Sequence, residues 1–184
     1  MTDEAGERTP ARAHGLWLWM VAVGLAVVAA DQLSKLWAVS ALTDRAPITV
    51  IPGLIDFRLL YNPGAAFSIG RDSTWVFAMA AASIVAGILY YGRRLGSPAW
   101  ALGLGLALGG AASHLLDRLF RDPGFARGHV VDFIDYKGFF VGNVADIFLV
   151  GAAGLLMVLS VRGVQFDGTR ETGAADPRSH PGPA

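Results

Sequence analysis

Residues 73–116 read STWVFAMAAASIVAGILYYGRRLGSPAWALGLGLALGGAASHLL, two long apolar runs separated by the pair Arg93-Arg94. A helix crossing a hydrocarbon core of about 30 Å needs roughly 20 mainly apolar residues. Ser73–Gly92 and Leu95–Leu116 each meet that length without an Asp, Glu, Lys or Arg. So short a connection makes them antiparallel neighbours, and the hairpin sets the frame for the rest of the chain. Working outward, Gly15–Ala30 is apolar, Asp31-Gln32-Leu33-Ser34-Lys35 interrupts, and Leu36-Trp37-Ala38-Val39 resumes the pattern. Phe139–Val161 is apolar apart from Asn143, Asp146, Ser160 and several Gly. The expectation is an all-α membrane protein with spans at about 15–37, 73–92, 96–116 and 141–161. Residues 1–14 are a short N-terminal segment, and 162–184, rich in Gly, Pro and charge, read as a disordered tail.

Composition agrees with a lipid environment. Of 184 residues, 53% are hydrophobic and only 16% charged, with zero formal net charge and scattered basic residues, which excludes a nucleic-acid binder. There is no Cys, and the four His have no zinc-ligand spacing, so catalysis must come from oxygen or imidazole groups. Arg8 and Arg12, the following apolar run and Val28-Ala29-Ala30 imitate a cleavable signal peptide. The apolar pattern continues past that point, so the segment reads as a retained helix.

Orientation follows from the basic residues. Seven lie on the terminal side and seven in the two opposite loops, so their number decides nothing. Arg93-Arg94 sits in a very short connection, where the positive-inside rule has most force, and places both termini in the cytoplasm. Two loops then face outward. In residues 44–72, the stretch Ile48–Leu59 alternates around Pro52-Gly53 and predicts a small extracytoplasmic β-hairpin or cradle. Residues 117–142 hold the densest charge in the chain.

Five acidic residues gather at the outer ends of the spans: Asp31, Asp117, Asp132, Asp135 and Asp146. An ionisable residue inside a span is costly and normally faces protein or water. Asp31 and Lys35 stand four apart on a helix and suit an interfacial salt bridge. Asp117 adjoins Arg118, and Asp135 lies two residues from Lys137, on one face if the segment is a strand. Asp132 and Asp146 have no such cation. Asn143 and Asp146 fit a helix capping box, which accounts for Asp146 alone but leaves Asp132 unexplained. Two carboxylates at one surface that cannot both ionise easily share a proton, the arrangement of an aspartic protease, and such a dyad requires no metal or cofactor. Ser113 and His114 are adjacent on a helix and point about 100° apart, so they form no Ser-His pair, and Ser113 reads as a small packing residue.

Five blocks carry a resemblance: Asp31–Lys35; Asn62-Pro63-Gly64-Ala65-Ala66-Phe67; Gly109-Gly110-Ala111 through Asp117-Arg118; Val130–Ile134; and Asn143–Asp146. In this order, on the outer side of a four-span chain, they are similar to the lipoprotein signal peptidase (signal peptidase II) family. The resemblance implies Asp132 and Asp146 as the catalytic pair. It implies that Asn62, Gly64, Arg118 and Asn143 line the site, with Arg118 binding substrate backbone carbonyls and Asn143 orienting a carboxylate. Asp31, Lys35, His114 and Asp117 support it. The substrates implied are prolipoproteins with a diacylglyceryl-Cys lipobox, cleaved before that Cys at the outer face of a bacterial cytoplasmic membrane. Two positions depart from the family pattern: His114 stands where Asn is usual, and Gly142 replaces an aromatic residue, removing packing at the entrance to the last helix. The competing reading is a proton-coupled transporter or channel subunit with an Asp relay, but a relay needs polar groups through the bilayer depth, and the second span offers none stronger than Ser83.

Overall fold

The computed structural model describes residues 10–64 and 74–170. The N-terminal residues 1–9, the tail from 171, and Ala65–Phe67 of the second block lie outside them. Four helices are long and apolar enough to cross a membrane. They are α1 (Pro10–Leu42), α2 (Thr74–Tyr91), α3 (Pro98–Phe120) and α4 (Val144–Val161), with a 3₁₀ turn at Gly92–Arg94 closing the α2–α3 hairpin. At 33 residues, α1 runs about 50 Å, beyond the span of 15–37 expected for it and well past a hydrocarbon core.

α3 occupies the centre, packed against each of the other three helices. Its small residues permit this. A β-carbon at Gly109 would lie 2.4 Å from Val27 Cβ and 2.6 Å from the Gly24 carbonyl of α1. One at Gly110 would lie 2.5 Å from Leu149 on α4, so the two neighbouring glycines admit a helix on either side. Ser97 caps α3 by accepting the Trp100 N–H, and Pro98 occupies the first turn, where its missing N–H is not needed.

The expected hairpin forms as β1 (Ile48–Ile51) and β2 (Ile55–Asn62), turning through Gly53 at φ 77°. The sheet does not stop there. The connection between α3 and α4 adds β3 (Val130–Asp135) and β4 (Val141–Gly142), giving a four-stranded antiparallel sheet in the order β1-β2-β3-β4. Leu60 pairs with Asp132 and Asn62 with Val130. The sheet sits on the C-terminal end of α1, where Trp37 meets Phe57 and Phe133 edge-on at 5.4 and 6.0 Å, beside buried Ala38, Leu42 and Ile134. Every residue of β3 is buried, which puts Asp132 inside the protein.

Residues 162–170, expected as the start of a disordered tail, instead fold back over the α2–α3 connection. Gly96 N–H donates to the Phe166 carbonyl and Trp100 Nε1 to the Val164 carbonyl, while the Phe166 ring stands edge-on to Trp100. Met20, Leu95 and Ala101 are buried beneath this strap.

Candidate active site

Asn143 brings the two candidate carboxylates together. Its side-chain Oδ1 accepts the Asp146 N–H at 3.2 Å, and its backbone N–H donates to Asp146 Oδ2 at 2.9 Å, so the capping box is complete. The remaining polar group of Asn143, Nδ2, donates to Asp132 Oδ1 at 2.7 Å. One residue therefore starts the helix, fixes Asp146 and holds Asp132. The residue that caps the helix is thus also the one that joins the two carboxylates.

Asp132 is 3% exposed and takes a second hydrogen bond, from Asn62 Nδ2 to Oδ2 at 3.0 Å. Burial pushes its carboxyl up to about 6, with the nearby Asp146 charge adding to the rise and the Asn62 and Asn143 amides opposing it. The Asp146 side chain is one-third exposed and open to an approaching reactant. The two carboxyl groups therefore stand in different surroundings, Asp132 sheltered and Asp146 partly exposed, a difference of the kind that general acid–base chemistry uses.

Arg118 is buried, and its guanidinium is engaged within the protein. Nη1 donates to the carbonyls of Asn62, Pro63 and Gly128 at 3.0, 3.0 and 3.1 Å, and Nη2 to that of Gly64. Three of the four carbonyls belong to the loop carrying Asn62, and the fourth, that of Gly128, lies in the connection between α3 and β3, so the guanidinium expected to face substrate carbonyls is occupied by the chain's own. Gly64 closes that loop by donating its N–H to Asn62 Oδ1 at 3.0 Å. With Oδ1 held there, Nδ2 of Asn62 is aimed at Asp132.

The support beneath differs from the expected pairings. Asp31 and Lys35 do pair, at 2.5 Å, but fully buried rather than at the interface. Asp117 takes its cations from Lys35 at 2.7 Å and Arg121 at 2.6 Å, not from its neighbour Arg118, because adjacent helical residues diverge. Asp135 pairs with Arg58 at 3.0 Å. Lys137 lies beyond the end of β3 at φ 52° and bonds Asp56 instead, holding that carboxyl below its ordinary range. Ser113, expected only to pack, donates to Asp31 Oδ2 at 2.6 Å, and Gln32 bonds both Ser113 and Asp117. These two were missed, although both fall inside the quoted blocks.

His114, where Asn is usual, faces the candidate pair: its Nε2 lies 3.4 Å from Asp146 Oδ1. Gly142 does not loosen the α4 entrance. It is buried, with Phe140 over it, and a β-carbon there would meet Asp146 Oδ2 at 2.9 Å and the Phe140 ring at 2.9 Å.

Comparison with known proteins gives a consistent result. The profile of the family described as Signal peptidase (SPase) II matches residues 23–162. The lipoprotein signal peptidase of Mycolicibacterium smegmatis is 45% identical over 168 residues, covering 91% of this chain and 72% of that protein. The Rhodococcus jostii lipoprotein signal peptidase is 43% identical over 170 residues, covering 92% and 86%. A solved bacterial membrane enzyme, determined by the in meso method at 2.3 Å resolution, superposes with a TM-score of 0.68 at 22% identity, over 85% of this chain and 93% of that one, a likeness of fold.

Proposed function

The chain belongs to the signal peptidase II family and is a multi-pass bacterial membrane peptidase; from that premise we propose that it is an aspartic endopeptidase whose dyad is Asp132 and Asp146. Its substrates are prolipoproteins bearing a diacylglyceryl group on the lipobox Cys, and it cleaves the bond before that Cys. The observation that carries the reading is Asn143, which holds both carboxylates at the start of α4 while burial keeps Asp132 protonated up to about pH 6.

The reaction starts from the form in which the sheltered Asp132 carries a proton. Asp146 takes a proton from water as the water oxygen bonds to the scissile carbonyl carbon, and Asp132 gives its proton to the carbonyl oxygen. When the tetrahedral intermediate collapses, the C–N bond breaks, the amine leaves with the proton from Asp146, and Asp132 recovers its own. The exposed apolar residues Ile48, Val50, Ile51 and Leu54 of the first hairpin suit a membrane surface, where a lipidated substrate would present its cleavage site. In this reading both termini are cytoplasmic and the sheet lies outside, so a reporter inserted near Asp122 should be external.

The test is cleavage of a diacylglyceryl-modified substrate by the purified protein in detergent or lipid. Asp132→Asn and Asp146→Asn should each lower the rate by at least about a thousandfold while leaving the protein inserted. Their combination should be hardly worse, as residues acting together are strongly non-additive. A chelator should leave the rate unchanged. Near-parental cleavage by either correctly inserted variant would show the dyad assignment to be wrong.

A further inference from the structure

Directly below the dyad, two other carboxylates face one cation. Lys35 Nζ lies 2.5 Å from Asp31 Oδ2 and 2.7 Å from Asp117 Oδ2, and the three side chains are 0%, 0% and 1% exposed. Each carboxylate also reaches the backbone next to one member of the dyad. Asp31 Oδ1 accepts the N–H of Ala145, the residue before Asp146, at 2.8 Å. Asp117 Oδ2 accepts the N–H of Val131, the residue before Asp132, at 3.4 Å. The α4 terminus and strand β3 are thus each tied to a carboxylate, and the carboxylates are tied to each other through one ammonium.

We propose that Asp31, Lys35 and Asp117 form a positioning device that sets the separation of Asp132 and Asp146, by holding the backbone preceding each of them to a common centre. This rests on the dyad reading. Stability alone is a poor reason for the arrangement, since desolvating buried ions costs several kcal/mol each and well-packed apolar side chains often serve as well. Apolar packing, however, gives no directional bond to two backbone amides on different elements. Displacement of reacting groups by about 1 Å can cost on the order of a hundredfold in rate, so a rigid link between the two carriers has catalytic value. The remaining contacts hold the device in place. Ser113 donates to Asp31 Oδ2 at 2.6 Å, and Arg121 and Gln32 donate to Asp117 Oδ1 at 2.6 and 3.0 Å. The two carboxylates are balanced by two cations, Lys35 and Arg121.

That balance supplies the test. The double variant Asp31→Asn/Lys35→Met removes one charge of each sign, leaves Asp117 paired with Arg121, and keeps an amide oxygen able to accept the Ala145 N–H. It should insert and remain folded, with KM within about threefold of the parent and kcat lowered by about 30-fold or more. Its pH–rate bell should also narrow, because carboxylates no longer held at a fixed short distance couple less strongly. Because Lys35 also lowers the Asp132 carboxyl through its charge, the change in width is read against Ser113→Ala, which leaves every charge in place; a purely structural role would scale that variant's bell without changing its width. Parental kcat, or a fall in kcat with unchanged bell width, would overturn the proposal. If the double variant does not insert, Ser113→Ala decides, since it leaves every charge in place: kcat about three- to tenfold lower with a narrower bell is expected, and a parental profile overturns the proposal. Failure of the dyad reading is distinguishable, because it would appear as cleavage by Asp132→Asn or Asp146→Asn.

Discussion

At the end of the bundle that carries the dyad, the chain is held by charged side chains reaching into backbone. Arg118 gathers four carbonyls, and Asp31 and Asp117 each take an amide from another element. At the other end, the strap of residues 162–170 is held by two backbone carbonyls, the Trp100–Phe166 ring contact and buried Met20 and Leu95. The first kind of closure specifies geometry, because each donor and acceptor has a direction and a buried ion left unpaired is severely unfavourable. The second contributes in proportion to the apolar surface covered and tolerates small shifts. Damage to the first end should therefore remove activity abruptly, whereas damage to the second should lower stability by degrees.

Outside the dyad itself, the largest expected effect is at Arg118. Arg118→Lys keeps the charge, but an ammonium cannot replace a planar fork that serves four carbonyls. Cleavage should fall by at least about a hundredfold as Asn62 loses its aim; a rate within threefold of the parent would break the distinction between the two ends. Next in size is a stability effect at Asp132. Its carboxyl ionises at about 6 in the fold against 3.8 when free, so the folded state favours the neutral form. The stability this contributes is complete below about pH 3.8 and is lost as pH rises through about 6. Asn does not titrate, so the stability of Asp132→Asn relative to the parent should rise by about 3 kcal/mol between roughly pH 3 and pH 8. Chemical denaturation at both pH values reads this, and a pH-independent difference would mean that burial does not control this carboxyl.

Smaller again is the strap. Phe166→Ala should lower stability by about 1–2 kcal/mol while kcat at low temperature stays at the parental value. A large fall in kcat without loss of stability would show that the two ends are coupled. The smallest effect belongs to the solvent-facing pair Lys137–Asp56 on the sheet. Lys137→Ala should leave the cleavage rate within about twofold, as exposed ion pairs contribute little; a tenfold loss would extend the charged closure to the sheet surface.

The spans, the first hairpin and the α4 capping box were legible because each is written in local pattern: apolar run length, alternation around Pro52-Gly53, and Asn143 three residues before Asp146. Strand β3 was not, because its pairing of Asn62 with Val130 joins residues far apart in the chain. Nearness in sequence misled in the same way for charges. Asp117 beside Arg118 and Asp135 near Lys137 looked paired, but the cations that serve them, Lys35 and Arg58, come from other elements. That these acidic residues gather at one end of the bundle was readable; which group each one touches depended on the fold. The strap was hidden for a different reason, since Gly, Pro and charge in residues 165–184 dominate the composition and mask the single anchor at Phe166.

The strap also sets where the chain can be cut or extended. Topology mapping would naturally join a reporter just after Arg162, where the last apolar run ends. A junction there would discard the Phe166 ring, uncover Trp100, and leave Gly96 N–H and Trp100 Nε1 without the carbonyls they bond. The fusion would then report on a damaged protein. Appended after Arg170, the same reporter retains the whole strap, so comparing the yields of the two fusions measures how much of the fold is completed after the last span has left the membrane.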